Sequence, residues 1–310
     1  MSTRLREAVS ALASDPSRAE AICRAIIAAA PDDRDARLVF VEALRRKGDL
    51  DAAMTEIAPL AESDANWFAA QRLLGLVLGG RGEHARAAQA LSRAATLNSA
   101  HAYVWRELAD ELRATGDTAR SGAAYLNHIH MATVDPRLAQ ASQALKEGQA
   151  AQARAIVEPY LAQSPTDPVA LSMLAEIEAR EDHPFEAEQL LRSIIDLVPD
   201  YLPARHNLSQ LLMGLGKYGE ALAIARYLVV RDPNNVGARK LLAAALGLVG
   251  EYASAADIYR RLLAEDASRA SIWMALGHTM KTLGNAPEAI DAYRKAIALE
   301  PGLGEAYWSL

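Results

Sequence analysis

The sequence contains a single cysteine, few aromatic residues and no long apolar run. Its 310 residues include one cysteine, Cys23, and 5% aromatic side chains. One cysteine can form neither an intramolecular disulfide nor a cysteine metal cluster, which is typical of a reducing compartment, and we expect Cys23 to be a small buried hydrophobe. Apolar runs such as 73–78 are too short to cross a bilayer, and residues 1–7 lack the apolar core of a signal peptide. These absences predict a cytoplasmic protein with no membrane contact.

An excess of basic charge is also missing. The formal net charge is -6 and the sequence pI is about 5.7. Nucleic-acid-binding proteins usually carry a basic footprint, so we expect no nucleic-acid partner. What the chain has instead is a hydrophobic content of 51% that is rich in alanine and leucine. This composition favours packed helices over sheets.

Glycines recur with a fixed period along most of the chain. Every step is 34 residues, as from Gly48 to Gly82, except one of 32 between Gly116 and Gly148. Asp182 fills the one slot of the series without a glycine. The glycines of this column are Gly48, Gly82, Gly116, Gly148, Gly216, Gly250 and Gly284. Because glycine readily adopts the left-handed conformation that ends a helix, each slot predicts the turn that closes the first helix of a pair.

Two further columns keep the same phase. A small residue follows each slot by five positions, at Ala53, Ala87, Ser121, Ala153, Ala187, Ala221, Ala255 and Ala289. A small side chain lets two helices approach closely, so this column predicts the crossing point of each helix pair. Prolines at Pro31, Pro165, Pro199, Pro233 and Pro301 are expected to stop the second helix, because proline cannot continue one.

The repeated unit resembles the tetratricopeptide repeat (TPR), most closely over 270–303. There Trp273, Leu276, Gly277 and Met280 follow helical spacing, as do residues of the second helix such as Tyr293. The resemblance implies an all-α fold, a right-handed TPR superhelix of about nine helix-turn-helix repeats plus a partial tenth. We expect one solenoid over residues 1–310, divided into 1–33 (degenerate), 34–67, 68–101, 102–133, 134–167, 168–201, 202–235, 236–269, 270–303 and 304–310 (partial). The 134–167 repeat is expected to start at Val134, and Tyr307 and Leu310 are expected in core positions of the partial repeat.

Sequence motifs for catalysis, cofactor binding or metal binding are absent or lie in the wrong structural context. The glycine spacing of 214–219 matches a dinucleotide fingerprint, but it falls on a predicted helix-to-helix turn without a preceding strand. His128 and His130 are two residues apart, so on a helix they point to different faces and do not form a metal site. We therefore predict no catalytic, cofactor-binding or metal-binding residue within this chain.

The first helices of TPR units line the concave surface, so this resemblance predicts a binding groove for a protein or peptide. Basic side chains outnumber acidic ones on this predicted face, which would favour an acidic partner. The alternative is that these charges are ordinary solvated side chains of exposed helix faces. The candidate groove residues are Arg72, Tyr103, Arg106, Asp110, Arg113, Lys146, Arg180, His206, Lys240, His278 and Lys281.

A narrower resemblance concerns the sequence from about residue 102 onward. The segments YLNHI at 125–129, DPRL at 135–138, IWMALGH at 272–278 and GEAYWSL at 304–310 resemble the TPR region of bacterial TPR-sulfotransferases. The resemblance implies a parent enzyme that uses 3′-phosphoadenosine 5′-phosphosulfate in a catalytic domain following Leu310. The alternative is a free-standing TPR assembly protein that forms a homo-oligomer through an uncapped C-terminal helix.

Overall fold

The computed structural model describes residues 2–131 and 135–309, and their regular secondary structure is entirely α-helical. These residues form nine helix pairs followed by one short helix, as the repeat pattern predicts. The helices are α1 Thr3–Ala11, α2 Pro16–Ala29, α3 Arg34–Lys47, α4 Leu50–Ser63, α5 Phe68–Gly80, α6 His84–Leu97, α7 Ala102–Ala114, α8 Thr118–Met131, α9 Pro136–Lys146, α10 Ala150–Gln163, α11 Pro168–Arg180, α12 Pro184–Leu197, α13 Leu202–Gly214, α14 Tyr218–Arg231, α15 Val236–Leu248, α16 Tyr252–Glu265, α17 Ala270–Thr282, α18 Ala286–Leu299 and α19 Gly304–Ser309. The expected repeat start at Val134 lies outside the described residues.

Backbone contacts divide the chain into two compact units. The first unit comprises residues 1–173 and 197–199, and the second comprises 174–196 and 200–310. The division falls within α11. A single solenoid over the whole chain therefore stays a prediction, and each unit is described by itself.

The periodic turns have the left-handed backbone that their glycines predict. All seven glycines of the column have φ between 74° and 88°. Asp182, which takes the eighth slot, has φ 63° and is the one described residue other than glycine with positive φ. A side chain in this conformation costs about 1–2 kcal/mol, and aspartate is among the few residue types that adopt it routinely. The repeat geometry thus decides the backbone here even without glycine.

The small-residue column lies in the helix-crossing cores of both units. Its eight members are all at most 3% exposed, from Ala53 in the first unit to Ala289 in the second. Ser121 is the polar member, and its hydroxyl donates a 2.9 Å hydrogen bond to the carbonyl oxygen of Ala109. Burial of this hydroxyl therefore leaves no unsatisfied donor.

Each unit has its own hydrophobic core. In the first unit, Leu5, Cys23, Val41 and Ile57 belong to a cluster that runs through α1 to α5. Cys23 is fully buried, as the sequence predicts. In the second unit, a cluster formed largely by α14 to α18 contains Tyr293.

The short helix α19 differs from expectation. Tyr307 is 54% exposed rather than in the core, and Ala306 is buried instead. A helix of six residues presents little more than one turn to α18, so its small side chain faces the neighbour and its larger ones face solvent. Leu310 lies outside the described residues.

Candidate peptide-binding groove

A groove of about 610 Å³ runs across α3, α5 and α7 in the first unit. These are the first helices of three consecutive repeats, which the 34-residue period places side by side. Four arginines and two glutamates line the groove, for a formal charge of 4 − 2 = +2. Its charged side chains are Glu42, Arg45, Arg46, Arg72, Arg106 and Glu107, and its larger apolar ones are Leu12, Leu38, Val39, Phe68, Leu73 and Leu76.

Glu42 holds two of these arginines on α3. Its carboxylate accepts hydrogen bonds of 2.8 and 2.9 Å from Arg45 and one of 2.6 Å from Arg46. Burial alone would raise the pKa of Glu42, but these two guanidinium groups keep it below its usual value. The α3 side of the groove is therefore a compact ion cluster.

Arg72 and Glu107 connect α5 to α7. Arg72 donates from Nε and Nη2 to the two carboxylate oxygens of Glu107, at 2.8 and 2.5 Å. This is the bidentate geometry of strong arginine–carboxylate pairs. Burial alone would lower the pKa of Arg72, but Glu107 and Glu42 raise it above its usual value. Most of the positive charge predicted at Arg72 is thus neutralised within the chain.

Arg106 differs from the other groove arginines. Its Nη1 atom is buried and has no hydrogen-bond partner within the described part of the chain. The guanidinium carbon lies 5.7 Å from the ring centre of Tyr103, within cation–π distance. A buried donor without a partner costs roughly 1–3 kcal/mol, so a ligand oxygen that reaches this guanidinium group gains more than it would at a satisfied arginine.

A smaller pocket adjoins the groove. It has a volume of about 260 Å³ and is lined by Ala100, His101, Ala102, Tyr103, His128, Asp135, Pro136 and Tyr160. The ring of His101 lies 5.1 Å from that of Phe68 in the groove and 6.0 Å from that of Tyr103 in the pocket. Phe68, His101 and Tyr103 therefore form a continuous aromatic edge between the two cavities.

The Nδ1 atom of His101 is buried and lacks a hydrogen-bond partner among the described residues. Burial, reinforced by the positive charge of Arg72, lowers the pKa of His101 from its ordinary value of 6.5. The lowered pKa favours the neutral form of the ring. A neutral imidazole nitrogen in an aromatic pocket can pair with a polar group of a ligand.

The pocket walls are held by side-chain hydrogen bonds. The Tyr103 hydroxyl donates to Asp135, which also accepts from Arg137 at 3.0 Å. On the other side, Tyr160 donates to Asp167 at 2.8 Å. Burial alone would raise the pKa of Asp135, but Arg137 and Tyr103 lower it to about 2. These bonds orient the two tyrosine rings before any ligand is present.

The structure gives Asp110 an internal role. Its Oδ1 atom accepts hydrogen bonds from the buried Tyr125 and, at 2.7 Å, from Thr166. Arg113 and Lys146 are exposed, with no ion pair among the described residues. Of the six candidate residues in this unit, Arg72, Tyr103 and Arg106 therefore come together at the groove and its pocket.

The other five candidates belong to the second unit. Arg180 is paired with Glu176, and His206 lines a separate pocket. The contacts of these five residues join positions within one repeat or in neighbouring repeats. Three further polar contacts are Lys240 to the Ser271 hydroxyl at 3.2 Å, Lys281 to the Ser309 carbonyl oxygen at 3.3 Å, and His278 Nδ1 to the Tyr293 hydroxyl at 3.1 Å.

Residues of this site that sequence reasoning did not select include Phe68, His101, Glu107 and Tyr160. A signal existed for Glu107, since 107 − 72 = 35 places it one repeat and one residue after Arg72. No periodic signal marks His101, because it precedes α7 in an irregular turn.

Two other features contribute nothing to the groove. Gly214 ends α13, Gly216 forms the turn and Gly219 lies in α14, so the dinucleotide-like spacing falls between two helices. Glu178, Glu181 and His183 are the one described group whose potential metal-ligating atoms lie within 4.8 Å of one another. His183 and Glu178 in this group are joined by a 2.9 Å hydrogen-bond contact.

Two tetratricopeptide repeat family models match most of the sequence. One matches residues 11–77 and 144–212, and the other matches 72–136, 206–270 and 249–304. The chain belongs to the tetratricopeptide repeat family. TPR proteins act as protein-interaction scaffolds, and stacked repeats create the extended surfaces on which they bind. No helix among the described residues has both the length and the apolar character needed to span a membrane.

Several solved TPR structures resemble this chain. MamA from Desulfovibrio magneticus RS-1 is 16% identical, with a TM-score of 0.49 over 55% of this chain and 98% of its own. The TPR protein TTC0263 of Thermus thermophilus is 21% identical, with a TM-score of 0.47 over 56% and 94%. YrrB, described as a TPR protein with an unusual peptide-binding site, is 17% identical, with a TM-score of 0.43 over 72% and 98%. These likenesses concern the fold alone. No curated protein matches the chain.

Proposed function

We propose that this TPR chain binds an extended segment of a polypeptide partner in the groove of α3, α5 and α7. The observation that carries the proposal is Arg106, whose guanidinium group has an unsatisfied buried donor in a groove of formal charge +2. An acidic side chain of the partner supplies the missing acceptor. The apolar groove residues supply area for the rest of the segment.

The Arg72–Glu107 and Arg45–Glu42 pairs have a different role in this proposal. Their charges are already matched within the chain, so they shape the groove and hold the three helices in place. Charge attraction from the remaining excess accelerates association and weakens as salt is added.

A random dodecapeptide library displayed on phage provides a test without knowledge of the natural partner. Peptides selected on the immobilised chain are synthesised, and their Kd values are measured by calorimetry for the wild type and for Arg106→Glu. The expected loss is tenfold or more, with a preference for acidic peptides. Arg294→Glu, an exposed change on α18 of equal charge, is the matched control. Equal affinities for the wild type and Arg106→Glu would exclude the groove as the binding site.

The resemblance of segments such as 304–310 to TPR-sulfotransferases supports a finer proposal, that this chain is the recruiting region of a larger sulfotransferase. Sequence after Leu310 of the parent gene tests it. A phosphosulfate-binding loop there supports the proposal, and a stop codon contradicts it. A cytoplasmic location likewise stays a proposal, supported by the single buried Cys23.

A second candidate function is self-assembly through α19. Trp308 is 92% exposed and Tyr307 is 54% exposed on this helix, and an exposed aromatic pair is a common feature of interfaces. Sedimentation equilibrium of the wild type and of Trp308→Ser tests this candidate. A dimer that weakens at least tenfold in the variant supports self-assembly, and a monomeric wild type excludes it.

A further inference from the structure

We infer that the pocket beside the groove receives one tyrosine or tryptophan side chain of the bound peptide, while a neighbouring acidic residue of that peptide meets Arg106. This inference rests on the proposed peptide-binding function and names the class of peptide that is bound. Three properties of the pocket lead to it, namely its size, its lining and its position.

The size of the pocket suits a single side chain. Sites for drug-sized ligands usually measure about 300–1,000 Å³, whereas this pocket measures about 260 Å³. A whole small-molecule ligand would therefore be poorly covered. One large side chain of a peptide whose backbone remains in the groove would be enclosed.

The lining suits an aromatic ring with a polar edge. Tyr103, Tyr160 and His101 present three rings to the pocket, and aromatic pairs stabilise each other through edge and offset contacts. His101 adds a buried ring nitrogen without a partner. A phenol hydroxyl or an indole N–H can hydrogen-bond to polar atoms of this lining, whereas a leucine or phenylalanine side chain cannot.

The position of the pocket couples the aromatic side chain to an acidic one. Tyr103 lines the pocket and lies under the Arg106 guanidinium group, and Arg106 lines the groove. On the other side, His101 contacts Phe68, which also lines the groove. A peptide backbone in the groove thus has both the pocket and the unsatisfied guanidinium group within one continuous surface.

The pocket is also preorganised, which reduces the entropy cost of binding. Tyr103 is held by Asp135, and Tyr160 is held by Asp167. His128 forms part of the same wall and is 1% exposed. A ligand ring therefore enters a pocket whose walls need not reorganise.

The test blocks the pocket with a large side chain introduced at its rim. Ala100 is exposed and precedes α7, so Ala100→Trp places an indole at the pocket without disturbing a buried contact. Asn234→Trp is the matched control, since Asn234 is an exposed residue at the same place in the turn before α15. Thermal unfolding and circular dichroism establish that both variants are folded.

The peptides selected by phage display on the wild type are the probes. We expect them to carry a tyrosine or tryptophan close to an acidic residue. Ala100→Trp should bind them at least tenfold more weakly, while Asn234→Trp binds them as the wild type does. Replacing the peptide's aromatic residue by alanine should cost tenfold or more with the wild type and less than twofold with Ala100→Trp.

The two proposals fail in different ways. If Arg106→Glu abolishes binding but Ala100→Trp does not, the groove binds peptide and the pocket inference is wrong. If neither substitution changes the affinity, both proposals are wrong.

A second measurement uses a small molecule instead of a peptide variant as the probe of the pocket. p-Cresol, the isolated tyrosine side chain, should compete with the peptide at millimolar concentration on the wild type. It should not compete when the pocket is filled by Ala100→Trp. Absence of competition on the wild type would overturn the inference.

Discussion

The Nε2 atom of His128 lies 2.8 Å from the Oδ2 atom of Asp167, and neither side chain is more than 1% exposed. The Nδ1 atom of the same ring lies 3.0 Å from the Ala102 carbonyl oxygen, which can only accept, so Nδ1 donates. Asp167 also accepts from Tyr160 and from the backbone N–H of Ala170 at the start of α11. Burial alone would raise the pKa of Asp167, but His128 and these donors lower it. One buried pair therefore joins α7, α8, α10 and α11.

Removal of the histidine from this pair should destabilise the first unit strongly. His128→Ala leaves the Asp167 carboxylate buried without its hydrogen-bonded partner, and such losses cost about 3–5 kcal/mol. Urea unfolding followed by circular dichroism measures the change. His130→Ala, on the exposed face of the same helix, should change stability by less than about 0.5 kcal/mol. A cost below about 1 kcal/mol for His128→Ala would show that the pair is not a stabilising element.

Alanine substitution at two helical glycines should change the free energy of unfolding in opposite directions. A Cβ atom on Gly277 would lie 2.5 Å from the buried Tyr293 ring, whereas a Cβ atom on Gly247 would meet nothing within 4 Å. Gly277→Ala should therefore destabilise the second unit by about 1–3 kcal/mol through overpacking. Gly247→Ala should stabilise it by about 0.4–1 kcal/mol, because alanine loses less backbone entropy in a helix. Thermal unfolding of the two variants side by side measures both effects. A change of stability in the same direction for both variants would contradict the packing argument.

Asp135 should make the free energy of unfolding depend on pH in the acid range. Its pKa is lowered from 3.8 to about 2 on folding, so its contribution is complete above about pH 4 and is lost as the pH falls toward 2. The contribution amounts to roughly 2 kcal/mol at neutral pH. Asp135→Asn keeps an acceptor oxygen for the helix start but removes the charge. Urea unfolding at pH 2, 3, 4 and 7 should show a smaller acid loss in this variant than in the wild type.

The control for this prediction is Asp196→Asn, which removes an exposed carboxylate from α12. It should leave the shape of the stability–pH curve unchanged. An Asp135→Asn curve parallel to that of the wild type would show that this carboxylate does not contribute to acid unfolding.

Cys23 should react with thiol reagents only when the first unit unfolds. Burial, with a smaller contribution from the charge of Asp33, raises the pKa of its thiol to about 11. The thiolate is the reactive form, so the folded protein should react with Ellman's reagent at pH 8 on the order of 100-fold more slowly than in urea. Similar rates in the two conditions would contradict burial of Cys23 in solution.

Much of the fold followed from the periodic columns. Glycine at slots such as Gly48 is required by the backbone conformation, and alanine at crossings such as Ala53 is required by the small space between helices. Both requirements recur at fixed intervals, so the sequence alone predicts them. The same logic located Asp182 as a helix-ending residue despite its side chain. Tyr307 was misplaced because a six-residue helix offers too few turns for the repeat register to decide which side chain is buried.

The candidate groove was only partly visible in the sequence. Arg72 and Arg106 were selected by their place on the first helices, but their partners were not. Glu107 neutralises Arg72, while the buried Nη1 of Arg106 has no partner in the described residues. Identical residue types thus acquire different roles through contacts made across a repeat boundary.

The sequence by itself determined the helix pairs, their turns and the family, because these depend on the backbone preferences and sizes of residues at fixed intervals. The tertiary structure alone decided which charges are paired, which donors are unsatisfied and where a pocket opens. Those properties depend on distances between side chains that are about 35 residues apart along the chain, such as Arg72 and Glu107. Distances of that kind are set by helix packing and carry no local signature.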